Sequence, residues 1–185
     1  VSYGGTNVLV VRADATEHEG WFYEGAGIYR HVWLVKTDAL HVPQWGTFVT
    51  TELGPNGAQV TIRTEIANDG DAPATFRVRS TLLDPDGRTV AAGNGAPATV
   101  GGQETREVMQ TLHVARPTLW SVDAPALHRL VTEVVSRGRV TDRVETPFGI
   151  RTIHFDADHG FFLNGKGVEL QGTCNHQDHA GVGAE

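Results

Sequence analysis

Between Trp45 and Thr146 the chain reads as a run of short alternating segments, each closed by turn residues. That pattern restricts it to an antiparallel β architecture. Val60, Ile62, Thr64 and Ile66 can share one face while Thr61, Arg63 and Glu65 share the other, and Asn68-Asp69-Gly70-Asp71 then turns the chain. Phe76, Val78, Ser80 and Leu82 repeat the alternation before Asp84-Pro85-Asp86-Gly87. Thr89 to Ala92, Gln103 to Val114, Leu127 to Ser136 and Val140 to Thr146 supply further strands. About seven strands in about 100 residues, with turns at this spacing, predict an all-β fold of the immunoglobulin-like sandwich type.

One segment conflicts with this scheme. Leu127, Leu130, Val131, Val134 and Val135 fall on a helical stripe. The β-branched residues among them are stiff at χ1, and an inner strand can be apolar on both faces, so a strand is expected.

The flanks differ in character. Asn7 to Ala13 and Tyr29 to Lys36 read as strands separated by a Gly- and aromatic-rich loop, Gly20 to Gly27. Beyond Gly149, Ile153 to Phe155 is an apolar arm. Further on, Phe161-Phe162-Leu163 and Val168-Glu169-Leu170 flank Asn164-Gly165, a strong hairpin signal because both central residues tolerate positive φ.

Composition narrows the function classes. The 185 residues are 39% hydrophobic and 20% charged, the balance of a chain that folds. A formal charge of −7 offers no basic stripe for nucleic acid. No apolar run is long enough for a membrane helix, so a soluble protein is expected, whether cytoplasmic, periplasmic or secreted. The single Cys174 excludes an internal disulfide and reads as a small buried residue.

Four pieces taken in order resemble the domain junctions of family 2 glycoside hydrolases of the β-galactosidase kind. Gly25-Ala-Gly-Ile-Tyr-Arg-His-Val-Trp-Leu34 resembles the end of that family's jelly-roll sugar-binding domain. Leu119-Trp-Ser-Val-Asp-Ala-Pro-Ala-Leu127 and Thr146-Pro-Phe-Gly-Ile-Arg151 resemble late strands of its immunoglobulin-like domain. Phe161-Phe-Leu-Asn-Gly-Lys166 and Leu170-Gln-Gly-Thr-Cys-Asn-His-Gln-Asp-His179 resemble the opening hairpin and first strand of its catalytic (β/α)8 barrel. The resemblance implies three parts: residues 1–38 from the sugar-binding domain, 39–150 the sandwich, and 151–185 the start of the barrel.

Retaining glycosidases need two carboxyl groups about 5 to 5.5 Å apart. In the family these are glutamates on late barrel strands, the acid/base in an Asn-Glu pair, and this sequence contains no Asn-Glu dipeptide. Both catalytic carboxylates are thus expected beyond Glu185, leaving a non-catalytic, cofactor-free fragment that orients its neighbours in the same polypeptide. A free-standing carbohydrate-binding sandwich, or a piece of a β-glucuronidase or β-mannosidase of the same family, are the alternatives.

By the resemblance, His176 matches a histidine that hydrogen-bonds a sugar hydroxyl in the intact enzyme, with Asn175, Asp178 and His179 shaping that rim. Trp21 stands where some members carry an acidic sugar-contacting residue. It is placed either to stack on a β-galactoside or to pack against a neighbouring domain. His176, Asp178 and His179, and separately His154, Asp156, Asp158 and His159, carry metal-ligand chemistry but lack metal-ligand spacing, so no metal site is expected. Trp120 and Phe148 read as core residues, Arg30 and Arg151 as ion-paired at domain seams. Without their sheet partners, the flanking strands are expected to expose edges open to an edge-strand dimer.

Overall fold

The computed structural model describes residues 1–2, 4–14, 27–28 and 30–174. The chain divides into two compact units, one of Val1–Val35 with Gln171–Glu185 and one of Lys36–Leu170.

Among its described residues the first unit has no strand. Residues 7–13 and the described part of 29–36 were expected as strands but belong to no ladder, and Val8, Leu9, Val10, Trp33 and Leu34 are exposed. A strand persists through its hydrogen-bonded neighbour, and neither segment finds one. β-branched composition alone did not suffice.

The second unit is an immunoglobulin-like sandwich followed by a small hairpin sheet. One sheet centres on β3 (Gly57–Asn68), paired antiparallel with β7 (Glu104–Val114) on one side. On its other side lie β2 (Thr47–Gly54) and, at the far end, the two-residue β1 (Leu40–His41). The facing sheet runs β5 (Thr89–Asn94), β4 (Ala74–Leu83), β8 (His128–Ser136) and β9 (Arg139–Phe148), with β6 (Ala98–Val100) on the same edge of β4 as β5. Every strand pairing is antiparallel.

The alternation read from sequence decides which side chains fill the interior. Ala58, Val60, Ile62 and Ile66 of β3 face Phe76, Val78 and Leu82 of β4, and all are buried. The segment with helical spacing is β8, in the middle of its sheet, where Leu130, Val131, Thr132 and Val134 are all buried. Burial on both faces of a central strand produces the helix-like stripe. Both expected turns form: the buried Asn68 side chain closes the first through Ala72 O, Gly101 O and the Gly70 amide, and Asp84 Oδ1 accepts from the Arg88 amide in the second.

The interior consists of two apolar clusters. The first joins Leu40, Val42, Ile66, Phe76, Val78, Val100 and Val134, and the second joins Ala58, Val60, Ile62, Leu82, Val114, Leu130 and Ile150. Inward positions between them are polar: Thr64, Ser80, Gln110 and Thr132. Ser80 Oγ donates to Gln110 Oε1 of the opposite sheet at 2.7 Å, and Gln110 Nε2 returns to Val78 O at 3.3 Å. The Oγ1 atoms of Thr64 and Thr132 are buried without a partner.

The arriving and departing chains plug different clusters. Leu40 and Val42 enter the first cluster. There the Val42 amide donates to Asp142 Oδ2 at 2.8 Å and Asp38 pairs with Arg139 at 2.9 Å. Ile150 leaves through the second cluster, just past the other end of β9. The 10 residues of β9 separate the two points by roughly 30 Å.

Candidate functional site: the junction leaving the sandwich

Among the described residues, the place where the sequence has built most between separate elements is the exit from β9. The chain leaves β9 through Gly149 and the fully buried Ile150, which forms a parallel bridge with Leu119. Trp120 N donates to Ile150 O at 2.9 Å. A Cβ on Gly149 would lie 2.8 Å from the Trp120 Cβ, so the indole seats against bare backbone there. The Arg151 guanidinium covers that indole 4.6 Å from a ring centroid. From the other sheet, Thr51 Oγ1 donates to Arg151 O at 2.7 Å and lies 3.3 Å from the Arg151 amide.

The hairpin sheet follows: β10 (Ile153–Asp156), β11 (Gly160–Leu163) and β12 (Lys166–Gly167). Asn164 and Gly165 have φ of 52° and 75°, so the expected two-residue turn forms with both central residues left-handed. Asn164 does more than turn. Its Nδ2 donates to Trp120 O at 2.9 Å, its Oδ1 accepts from the Thr152 amide at 3.0 Å, and its own amide donates to Thr152 O at 2.9 Å. Leu163, beside it, is buried.

These contacts revise two expectations. Arg151 is not ion-paired among the described residues; its guanidinium lies over the Trp120 ring, whose π face attracts the cation. Trp120 is half-buried beneath it rather than in the core, whereas Phe148 packs against the second cluster as expected. Cys174 is exposed rather than buried, because Gln171 to Cys174 joins no ladder that would cover it.

At the far tip of the hairpin, Asp156 Oδ1 accepts from the amides of Asp158 and His159 and from the His159 ring at 2.8 Å. The ring bond first, and the two amides next, hold the Asp156 carboxyl below the usual carboxylate range. The carboxylate thus closes a turn. Among the described residues no three His, Cys, Asp or Glu side chains converge as a metal-binding group. The residues expected at a sugar-binding rim, Trp21, Asn175, His176, Asp178 and His179, lie outside the described residues.

A sandwich whose interior is plugged at one end by the arriving chain and at the other by the departing chain has the construction of a connecting module within a larger protein. The comparisons give that class a family. Residues 41–151 match the model of glycosyl hydrolases family 2, and the chain belongs to this family.

The β-galactosidase BoGH2A of Bacteroides ovatus is 41% identical over 96% of this chain and 21% of its own length. A β-glucuronidase of Formosa agariphila is 31% identical over 90% of this chain and 18% of its length. Among solved structures, a family 2 glycosyl hydrolase from Bacteroides cellulosilyticus superposes with a TM-score of 0.79 at 36% identity, covering 87% of this chain and 22% of that one. The β-glucuronidase of Bacteroides uniformis follows at 0.75 and 31%, covering 91% and 21%. The chain therefore spans about a fifth of the length of the relatives it matches. No helix among the described residues is long and apolar enough to cross a membrane.

Proposed function

We propose that this chain is the non-catalytic connecting part of a retaining β-galactosidase-like glycoside hydrolase, holding a sugar-binding domain and a catalytic barrel at a set separation. One observation carries the reading: the arriving residues Leu40 and Val42 and the departing residue Ile150 are components of the sandwich core. Neither connection can swing without opening a hydrophobic cluster. A pendant module on a free linker has no need of this.

Residues 1–38 are then the end of the sugar-binding domain, 39–150 the sandwich and 151–185 the opening of the barrel. The two catalytic glutamates are supplied by another part of the whole polypeptide. In that enzyme His176 contacts a sugar hydroxyl, Asn175, Asp178 and His179 line the same rim, and Trp21 approaches it from the first domain. A galactoside is favoured by the higher identity to the β-galactosidase relative. The exposed apolar runs Val8–Val11 and Val32–Val35 are surfaces for the remaining polypeptide, or for a second copy when this chain is alone.

The carbohydrate-binding alternative requires an open aromatic platform. In the second unit the Arg63 guanidinium lies over the Phe48 ring at 4.8 Å and Arg151 over the Trp120 ring, while Trp45 and Phe155 are exposed and are the rings such a platform would have to use. The deciding experiment measures hydrolysis of an aryl β-galactoside by the purified 185-residue chain, with calorimetric titration of galactose, lactose and galactan. No turnover and no binding heat are expected. Turnover that survives repurification would refute the reading, and saturable galactan binding would replace it with the alternative.

A further inference from the structure

We propose that Asn164 is the positioning residue that fixes the direction in which the chain leaves the sandwich. The proposal rests on the connecting role argued above, and it assigns that role to one side chain.

A left-handed turn position explains only that residue 164 is Gly, Asn or Asp. It does not explain where the amide points. Asn164 is bonded to both backbone groups of Thr152, the residue opposite it where the β10–β11 register continues, and its Nδ2 reaches a separate segment, the carbonyl of Trp120, which is itself anchored to Ile150. A hairpin joined to a sandwich only through Arg151 and Thr152 retains the φ and ψ of those residues as hinge coordinates. The bonds from Asn164 to Thr152, within that hinge, and to Trp120, on its sandwich side, restrain them together. Both side-chain bonds are partly shielded from water, which raises the cost of breaking them.

The remaining contacts do not do the same work. Burial of Leu163 is non-directional and tolerates rotation. The Thr51 bonds to Arg151 hold the hinge's first residue, not the body beyond it. Asn164 alone among these ties the moving body to the fixed one with a directional bond, from Nδ2 to Trp120 O. Catalytic constellations are sensitive to displacements of about 1 Å, so rigid exit geometry is what a preceding module must provide.

The test uses backbone residual dipolar couplings and amide hydrogen exchange on the 185-residue chain and two variants. Asn164→Gly keeps the left-handed turn and deletes both side-chain bonds. Asn164→Asp keeps the Oδ1 acceptor and deletes only the donor to Trp120 O. In the unaltered chain, amides of β2 to β9 and of β10 to β12 should fit one alignment tensor. In Asn164→Gly the hairpin ladder should stay protected while its couplings leave the sandwich tensor and the Thr152 amide exchanges at least about tenfold faster, the loss of one partly buried bond. Asn164→Asp, which loses the same bond to Trp120, should also leave the sandwich tensor while the Thr152 amide stays protected.

A hairpin that still shares the sandwich tensor in Asn164→Gly overturns the proposal, as does one that already fails to share it in the unaltered chain. Were Asn164→Gly to unpair the hairpin itself, Asn164→Asp decides, and unchanged alignment there also overturns it. None of these outcomes depends on whether the chain binds or cleaves a galactoside, so the two readings fail separately.

Discussion

Ser80 and Thr132 sit directly opposite each other on β4 and β8, both fully buried in the polar layer between the two core clusters, yet their hydroxyls should respond oppositely to removal. Ser80 Oγ is bonded to Gln110 across the sheets, whereas Thr132 Oγ1 has no partner. An unmade buried hydrogen bond costs about 1–3 kcal/mol, and an apolar group of the same shape avoids that cost. Thr132→Val should therefore stabilise by about 1 kcal/mol. Ser80→Ala leaves Gln110 Oε1 without its donor and should destabilise by about 1–2 kcal/mol. For a chain of this size the two melting temperatures should move by about 2–4 °C per kcal/mol, in opposite directions. Urea unfolding followed by circular dichroism and by tryptophan fluorescence, with coincident transitions, measures both. A Thr132→Val protein less stable than the parent would show the hydroxyl to be satisfied, and the argument that Thr132 Oγ1 is unpaired within the polar layer would fail.

Two further outcomes test the termini of β8 and β9. His128 is 1% exposed with an unpartnered Nδ1, and desolvation, opposed weakly by Asp84, lowers its pKa in the folded state. The unfolded chain then takes up the proton first, so stability is complete above the ordinary value near 6.5 and falls as pH drops through it. One titrating group limits the slope to at most about 1.4 kcal/mol per pH unit. Urea midpoints measured between pH 7 and pH 5 should fall less steeply in His128→Leu, and equal slopes would count against the assignment. Gly149→Ala should destabilise by about 1–3 kcal/mol through overlap with Trp120, read as a lowered urea midpoint with unchanged slope; an unchanged midpoint would mean that the seat is not tight.

The sandwich was legible because it obeys a period of two. In β3 and β4 the inward set can be picked out residue by residue, and Asn68, Asp84 and Asn164 announce turns whose local chemistry suffices to form them. β8 was legible only with the knowledge that a central strand is apolar on both faces. β2 went unlocated because, although its burial alternates, its residue types do not: Thr47 and Thr51 face inward and Phe48 faces out. β1 and β6, of 2 and 3 residues, are made by their partners rather than by their own composition.

The junction was half legible. The pattern announced the turn at Asn164, but whether its amide reaches Trp120, 44 positions away, is a matter of three-dimensional proximity that no local pattern encodes. The same holds for Arg151 over Trp120. The sugar-contacting residues were read from family resemblance alone.

The separation of arrival and departure along β9 makes strand length a ruler. Adding one residue to β9 without a bulge would turn every following side chain to the wrong face and unseat Phe148. A step of two preserves the pattern and lengthens the spacing by about 7 Å, whereas a single added residue has to be taken up as a bulge, as β9 already does between Val140 and Asp142. The sandwich is thus an indexed spacer: a change of reach between its two ends comes in paired steps, in bulges or in the loops, and not continuously.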